Sequence, residues 1–219
     1  MAKKAIIIGA TGLTGGLLLK RLLEDNRYES VILFSRNSCN IKHKKIKEHL
    51  IDLFELENYE ETFIADNVFC CIGTTKAKTP NEDTYLSIDY GIPVSLAKIS
   101  AKNKINTLVV ISALGANKKS TVFYNRTKGR MEEDVLRQKI NNTYILQPSL
   151  ISGTREEKRF WEQIANLFMN VLNPLLIGNL KKYRSIHPNT IANAMIWLAN
   201  NDYKSGRIPS DVIQEISES

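Results

Sequence analysis

A glycine-rich turn near the start of the chain restricts its fold more than any other feature. The apolar run AIIIGA (5–10) leads into this turn, and LLLKRLLED (17–25) follows it with the length and apolar spacing of a helix. A buried strand, a glycine-rich turn and a helix in this order begin a βαβ unit. We therefore expect a parallel sheet with helices packed against it.

The rest of the chain continues the alternation of short apolar runs with amphipathic stretches. Strands are predicted at 31–35, 49–53, 67–73, 107–112 and 143–149, of which 49–53 has the weakest pattern. Helices are predicted at 85–104 with an interruption near Gly91 and Pro93, and at 128–139, 156–172 and 189–201. Apolar strands between helices are typical of an α/β fold with a doubly wound parallel sheet. Because no linker or repeat interrupts the pattern, residues 1–219 are predicted to form a single domain.

The composition is that of an ordinary globular protein, with 43% hydrophobic and 24% charged residues. No apolar run approaches the ~20 residues of a membrane span. The N-terminal apolar run, of about five residues, is too short for a signal peptide. The three cysteines lack the spacing of a disulfide framework or a zinc site. These observations predict a cytoplasmic location, reduced thiols and no metal site.

The formal net charge is +7, and basic residues cluster at 41–47, 117–119, 125–130 and 180–184. Aromatic residues do not alternate with these clusters as in an RNA-binding sheet, so nucleic-acid binding is the weakest functional hypothesis. A solvated basic face and attraction of an anionic small molecule both remain open. The oligomeric state also remains open, a homodimer being one arrangement that the sequence allows.

The turn itself, GATGLTG, has the composition of a dinucleotide-binding loop. Gly9 permits a tight turn, Gly12 lets backbone N–H groups approach a pyrophosphate, and Gly15 permits close contact between helix and strand. The positive end of the following helix favours the anion. The spacing is GxxGxxG rather than GxGxxG, and a simple tight turn is the alternative interpretation. The residues predicted to bind cofactor here are Gly9, Thr11, Gly12, Leu13, Thr14 and Gly15.

The end of the second predicted strand favours NADP over NAD. The segment VILFSRN has Ser35 and Arg36 where an NAD site has a carboxylate. A guanidinium group matches the geometry of a 2′-phosphate. Further along, Asp52 is a candidate for contact with the adenine edge, and Gly73 lies where the cofactor is expected to pass the fourth strand.

A tyrosine and a lysine stand four residues apart in YNRTK (124–128), the only such pair in the chain. A lysine at i+4 on a helix can lower the pKa of a tyrosine from its ordinary value of about 10 and make it an acid–base group. Ser112, at the end of the strand TLVVIS, can orient a substrate carbonyl. The predicted catalytic residues are therefore Ser112, Tyr124 and Lys128. Because such a pair also arises by chance, the prediction depends on the surrounding motifs.

These motifs together resemble the short-chain dehydrogenase/reductase superfamily, and in particular its atypical members. The resemblance rests on GATGLTG, SR after the second strand, VVISALGA, YNRTKGRMEEDV, YILQPSLISG and RSIHPNTIANAM. It implies a Rossmann core, NADP as the cofactor, and a catalytic triad of Ser112, Tyr124 and Lys128 in which Lys128 also binds the ribose. It further implies that the segment after Pro148 contacts the nicotinamide and that residues 149–188 shape the substrate pocket. One departure is that no asparagine can be assigned to the fourth catalytic position of many members.

Two functional hypotheses follow. The first is an NADP-dependent oxidoreductase that acts on an unknown carbonyl/alcohol pair of a small-molecule substrate. The alternative is a regulatory or redox-sensing protein that binds NADP(H) without turnover. His187 has no metal-ligand spacing around it and is predicted to be a helix cap or a pocket wall.

Overall fold

The computed structural model describes residues 2–151 and 178–219, which contain a seven-stranded sheet with all pairings parallel. The strand order is β3-β2-β1-β4-β5-β6-β7. Between β1 and β4 the winding reverses, and a doubly wound sheet has a crevice there, at the carboxyl ends of its strands. The strands are β1 (Lys3–Ile8), β2 (Tyr28–Ser35), β3 (Ile46–Leu50), β4 (Asn67–Cys70), β5 (Thr107–Ile111), β6 (Asn142–Gln147) and β7 (Gly206–Pro209).

Helices cover both faces of this sheet, as the predicted doubly wound α/β fold requires, and the fold class is confirmed. A π-helical turn at Ser87–Gly91 joins the second helix to the third, and 3-10 helices lie at Leu53–Thr62 and Gly178–Tyr183. The α-helices are α1 (Leu13–Glu24), α2 (Glu82–Leu86), α3 (Ile92–Lys102), α4 (Phe123–Leu136), α5 (Pro188–Leu198) and α6 (Ser210–Ser217).

The pleat of the strands divides the apolar side chains into two buried layers. Ile7 of β1 packs in the layer under α1 and α5, whereas Ile6 and Ile8 pack in the layer under α3 and α4. Cys70 and Cys71 divide in the same way, and both thiols are free. Burial on both faces explains why the strands have continuous apolar sequences.

Several predicted boundaries differ from the structure. The third strand is Ile46–Leu50 rather than 49–53, because its pairing with β2 ends at Leu50 and Asp52 caps the 3-10 helix that follows. The helix predicted at 128–139 begins earlier, at Phe123, so that Tyr124 and Lys128 are both helical. The predicted interruption near Gly91 is the π-helical turn.

Two C-terminal elements, β7 and α6, have no counterpart in the predictions. β7 has only four residues and is bounded by Gly206 and Pro209, so its pattern is that of a turn. The helix predicted at 156–172, and most of the substrate-pocket segment predicted at 149–188, lie outside the described residues.

The turn between β1 and α1 depends on close approach of the backbone. Gly9 has φ +91°, and a Cβ atom on it would lie 2.9 Å from the carbonyl carbon of Cys71. A Cβ atom on Gly15 would lie 2.1 Å from the carbonyl oxygen of Gly9. The first turn of α1 therefore packs directly against the end of β1, at a distance that only glycine permits.

We expect Gly15→Ala to lower the free energy of unfolding by about 3 kcal/mol, because the new methyl group overlaps rigid backbone. Chemical denaturation of the purified proteins measures this difference. Gly91→Ala is the matched control, because Gly91 is helical and its Cβ would meet no atom closer than the Leu86 carbonyl oxygen at 3.8 Å. Equal stability of Gly15→Ala and the wild type would contradict the packing described here.

Candidate active site

The glycine turn presents an accessible helix end at the switch point of the sheet. Gly12 is the N-cap of α1, and its amide donates to the Gly9 carbonyl at 3.0 Å. No side chain caps the helix. The next amides of the first turn have no intrahelical acceptor, and Thr11, Gly12 and Leu13 are exposed, whereas Thr14 is buried. This arrangement of amides and small residues fits the pyrophosphate of a dinucleotide.

Two of the other predicted cofactor residues lie at the carboxyl end of β2. The buried hydroxyl of Ser35 donates to the Asn37 carbonyl at 2.8 Å, which shapes the turn after the strand. Arg36 is exposed, and within the part of the chain that the structure describes its side chain has no hydrogen-bond or ion-pair partner. Its guanidinium group is therefore available to a ligand.

Asp52 caps the 3-10 helix after β3, where its carboxylate accepts the Phe54 amide at 3.0 Å. The side chain is exposed, so it also has accessible surface beside the strand ends. Its contact with an adenine ring stays a prediction.

A buried ion pair occupies the carboxyl end of β4. Nζ of Lys128 lies 2.6 Å from Oδ1 of Asp89, and the two side chains are 5% and 0% exposed. The second carboxylate oxygen of Asp89 accepts the Thr74 amide at 2.7 Å. A Cβ atom on Gly73 would lie 3.6 Å from Asp89 Oδ1 and 3.7 Å from Lys128 Nζ. The structure therefore brings together Gly73 and Lys128, two of the predicted residues, and adds Asp89.

Tyr124 stands in the first turn of α4 and is 38% exposed. Burial of the rest of the side chain raises the pKa of its phenol above the ordinary 10.0. The positive charge of Lys128 acts in the opposite direction, as expected, but the carboxylate of Asp89 adds to the increase. The phenol is therefore protonated at neutral pH in this arrangement.

Ser112 is held by a buried carboxylate rather than left free at the end of β5. Its hydroxyl donates to Oε1 of Glu132 at 2.6 Å, and Glu132 is fully buried in α4. Glu132 also accepts from Nε2 of Gln147 at 2.9 Å and from Nε of Arg207 at 2.6 Å. These contacts join α4 to β5, β6 and β7. A direct role of Ser112 on a substrate carbonyl stays a prediction.

Aromatic side chains and one lysine lie beside Tyr124. The ring of Phe123 meets that of Tyr85 edge-on, with centroids 5.4 Å apart, and Nζ of Lys76 lies 4.6 Å from the Phe123 centroid. The hydroxyl of Tyr85 donates to the Thr74 carbonyl at 3.3 Å. The residues after β4 are thereby fixed against the start of α4.

The remaining predicted residues have structural contacts. The carbonyl of Pro148 accepts the Leu114 amide at 2.8 Å, which ties the end of β6 to the loop after β5. His187 is the N-cap of α5, where Nδ1 accepts the Asn189 amide at 3.1 Å, and its prediction as a helix cap is confirmed.

Asp89 and Glu132 are the two site residues that sequence reasoning missed. Each is a carboxylate inside a helical segment, a type of residue that usually faces solvent. The sequence nevertheless contains a signal. Glu132 lies on the same helical face as Lys128 and Met131, and Asp89 lies on the same face as Tyr85, and these three neighbours are all buried. A charged residue on the buried side of such a helix indicates a paired group.

Within residues 2–151 and 178–219, no group of His, Cys, Asp and Glu side chains is arranged to hold a metal ion. Over the same residues, no helix is long and apolar enough to span a membrane.

Comparison with known proteins identifies relatives over most of the chain. The pattern of the HIM1 family matches residues 30–181. FMP52, a mitochondrial protein of Debaryomyces hansenii, is 30% identical over 94% of this chain and 91% of its own length. HTATIP2 of Rattus norvegicus is 28% identical over 78% of this chain and 72% of its own length.

Solved structures with the same fold include nucleotide-sugar enzymes. ADP-L-glycero-D-manno-heptose-6-epimerase of Helicobacter pylori superposes with a TM-score of 0.70 and 16% identity over 98% of this chain and 80% of that chain. WbmH of Bordetella bronchiseptica, in complex with NAD+, gives a TM-score of 0.71 and 12% identity over 100% of this chain and 80% of that chain. At these identities the likeness shows the fold, which is that of a Rossmann protein. The resemblance to atypical short-chain dehydrogenase/reductases is confirmed.

The predicted cytoplasmic location is wrong, because the FMP52 relatives are named as mitochondrial proteins. The prediction rested on the shortness of the N-terminal apolar run. That run is strand β1, at the centre of the sheet, so its length reports on the fold and carries no information about the compartment.

We expect Ser112→Ala to lower the free energy of unfolding by about 2 kcal/mol, because it removes a donor from a buried carboxylate. Ser95→Ala is the matched control. Its hydroxyl also donates to a glutamate, Glu57 at 3.0 Å, but this hydrogen bond is exposed to solvent, so a loss within about 0.5 kcal/mol is expected. Urea denaturation compares the two variants, and equal losses would show that the Glu132 contacts add no stability.

Proposed function

Because the chain belongs to the HIM1 family and has a tyrosine–lysine pair at the carboxyl edge of a Rossmann sheet, we propose that it is an NADP-dependent oxidoreductase. Its substrate is a small molecule with a carbonyl or alcohol group. The observation that carries this proposal is the position of Lys128, next to Gly73 at the end of β4 and one helical turn from Tyr124. That edge, beside the β1–β4 switch point, is where ligands bind in open α/β sheets.

The residues around the switch point fit an NADP molecule. The glycine turn at residues 9–15 would bind the pyrophosphate, and Arg36, free of protein partners among the described residues, would bind the 2′-phosphate. WbmH was solved with NAD+, so the preference for NADP rests on this chain's own residues, namely Arg36 and the lack of a carboxylate at the end of β2. In this assignment Asp52 lies toward the adenine and Lys128 toward the ribose. Gly73 lies where the cofactor passes β4, and the segment after Pro148 lies toward the nicotinamide.

When bound, the nicotinamide supplies or accepts the hydride. Tyr124 supplies or accepts the proton at the substrate oxygen, since it is a partly exposed phenol at the mouth of the site. Lys128 supplies a buried positive charge beside that phenol. Ser112 orients the carbonyl in the triad that the resemblance implies, and to do so it must share its hydroxyl with Glu132.

A second function, NADP(H) binding without turnover, is favoured by two of the contacts. The Ser112 hydroxyl is engaged by Glu132, and the Lys128 ammonium is engaged by Asp89. A protein with these contacts can hold the nucleotide in a regulatory or redox-sensing role. Tight NADPH binding by a protein that turns over none of a broad panel of aldehydes and ketones would support this alternative.

We expect Arg36→Ala to weaken NADPH binding at least about tenfold and to leave NADH binding unchanged, because only NADPH has the 2′-phosphate. Titration followed by nicotinamide fluorescence measures both affinities. Lys20→Ala is the control for net charge, since Lys20 is an exposed residue of α1 away from the strand ends. A similar loss for both nucleotides in Arg36→Ala would contradict the phosphate assignment.

We expect Tyr124→Phe to abolish turnover of any carbonyl substrate while NADPH affinity changes less than about threefold, because the phenol moves a proton and the cofactor contacts lie elsewhere. Tyr203→Phe is the control, a tyrosine with the same 38% exposure beside α5. Steady-state rates on an aldehyde and ketone panel, with parallel NADPH titrations, make the comparison. Unchanged turnover in Tyr124→Phe would refute the catalytic assignment.

A further inference from the structure

Asp89 acts on the pKa of Tyr124 in the direction opposite to Lys128. A lysine beside a tyrosine favours the phenolate through its positive charge. Here that charge is 2.6 Å from a carboxylate that is completely buried, and the negative charge of this carboxylate offsets part of the effect of Lys128 on the phenol. The remaining carboxylate oxygen is held by the Thr74 amide, so Asp89 cannot turn away without losing a second contact.

The backbone places Asp89 in this position through a local irregularity. The π-helical turn at Ser87–Gly91 lies between α2 and α3, and Asp89 is its central residue. An inserted residue in a helix re-aims the side chains around it and is frequent at functional sites. The fully buried side chain of Asp89 therefore points inward at the end of β4, beside Gly73.

The ionisable groups that interact in this cluster come from four elements of the described structure. Asp89 and Tyr124 both raise the pKa of Tyr85, after the larger effect of its burial. Burial likewise raises the pKa of the Cys70 thiol to about 11, with smaller and opposite effects of Lys128 and Asp89. The tyrosine and the thiol are thus neutral at physiological pH, whereas Asp89 and Lys128 form the buried ion pair of the cluster. Lys76 adds a positive charge 4.6 Å from the centroid of the Phe123 ring, which packs against Tyr85.

We propose that Asp89 neutralises Lys128 and thereby keeps Tyr124 in its protonated form, which poises the site to donate a proton and so to reduce a carbonyl group. This inference rests on the proposed oxidoreductase function and gives it a direction. The geometry that carries it is the pair of buried, opposite charges fixed at the carboxyl end of β4, one helical turn from the phenol.

The proposed step is the reduction of an aldehyde or ketone to an alcohol. The carbonyl carbon receives a hydride from a reduced nicotinamide, and the carbonyl oxygen takes the phenolic proton of Tyr124, so that the aldehyde or ketone becomes an alcohol. Tyr124 is left as a phenolate and regains its proton from water. Oxidation of an alcohol would require the phenolate at the start, the form that burial disfavours and that the charge of Asp89 disfavours further.

The test is a pH titration of Tyr124 in the cofactor-free protein, by NMR of the protein labelled with 13C at the tyrosine ring. The Tyr124→Phe variant assigns the signal, and each variant is checked for folding by circular dichroism. In the wild type, the proposal predicts that Tyr124 ionises above pH 10, the ordinary pKa of tyrosine. In Asp89→Asn, it predicts a tyrosinate fraction at pH 9 that is at least about tenfold higher than in the wild type.

Asp83→Asn is the matched control, because it removes the same charge from an exposed position in the first turn of α2 and should leave the titration unchanged. Identical titrations of Tyr124 in the wild type and Asp89→Asn would overturn the proposal. If Asp89→Asn fails to fold, Asp89→Ser, which removes the same charge with a smaller side chain, takes its place in the same comparison with the wild type. Ionisation of Tyr124 below pH 10 in the wild type would also contradict the proposal.

Failure of this inference and failure of the proposed function give different results. NADPH titration of the same samples tests the nucleotide site independently of Tyr124. Loss of NADPH binding in every sample, with the predicted Tyr124 titration, would remove the oxidoreductase assignment and leave the charge arrangement intact. NADPH binding with an unchanged titration in Asp89→Asn would overturn the inference about Asp89 and leave the nucleotide site of the proposed function intact.

Discussion

The close approach of α1 to the end of β1 is the constraint on which the rest of the arrangement depends. Gly15 meets the Gly9 carbonyl, and Gly9 in turn lies against the backbone that follows β4. These contacts bring the N-terminus of α1 to the place where the strand order reverses, so its amides, the end of β2 and the end of β4 lie around one crevice. A side chain at Gly15 would overlap the end of β1, and a side chain at Gly9 would overlap the backbone after β4.

The second half of the site depends on two buried carboxylates. Asp89 ties α4 to the end of β4 through Lys128, and Glu132 ties the same helix to β5, β6 and β7. Gly129 lies between them, and its Cβ would fall 2.2 Å from the Lys118 amide, so α4 also packs directly on the loop after β5. Buried charges of this kind require partners at defined positions. The helix with Tyr124 is thereby held in one orientation over the strand ends.

The strands and α1 could be predicted because their apolar runs and the glycine turn are local signals. The weak third strand, IKEHL, has no fully buried residue and no alternation of buried and exposed residues, and its register depends on pairing with β2, which the local pattern does not contain. The start of α4 was placed late because Val122, its N-cap, makes no side-chain cap. The roles of Asp89 and Glu132 could not be predicted, because their partners Lys128 and Ser112 are 39 and 20 residues away in the chain. The residues predicted to bind a cofactor follow local strand ends, whereas the contacts of Asp89 with Lys128 and of Glu132 with Ser112 are tertiary.

A dinucleotide in the crevice between the glycine turn and the end of β4 would lie against backbone amides of both segments. Amide NMR of the 15N-labelled protein with and without NADPH detects such contacts residue by residue. We expect shifted amide signals at residues 9–15 and at Gly73 and Thr74. We expect unchanged signals at the amino ends of the strands, where Tyr28, Asn67 and Asn200 form a hydrogen-bonded cluster. Unshifted amides at the glycine turn, or shifts confined to the amino ends, would show that no dinucleotide binds there.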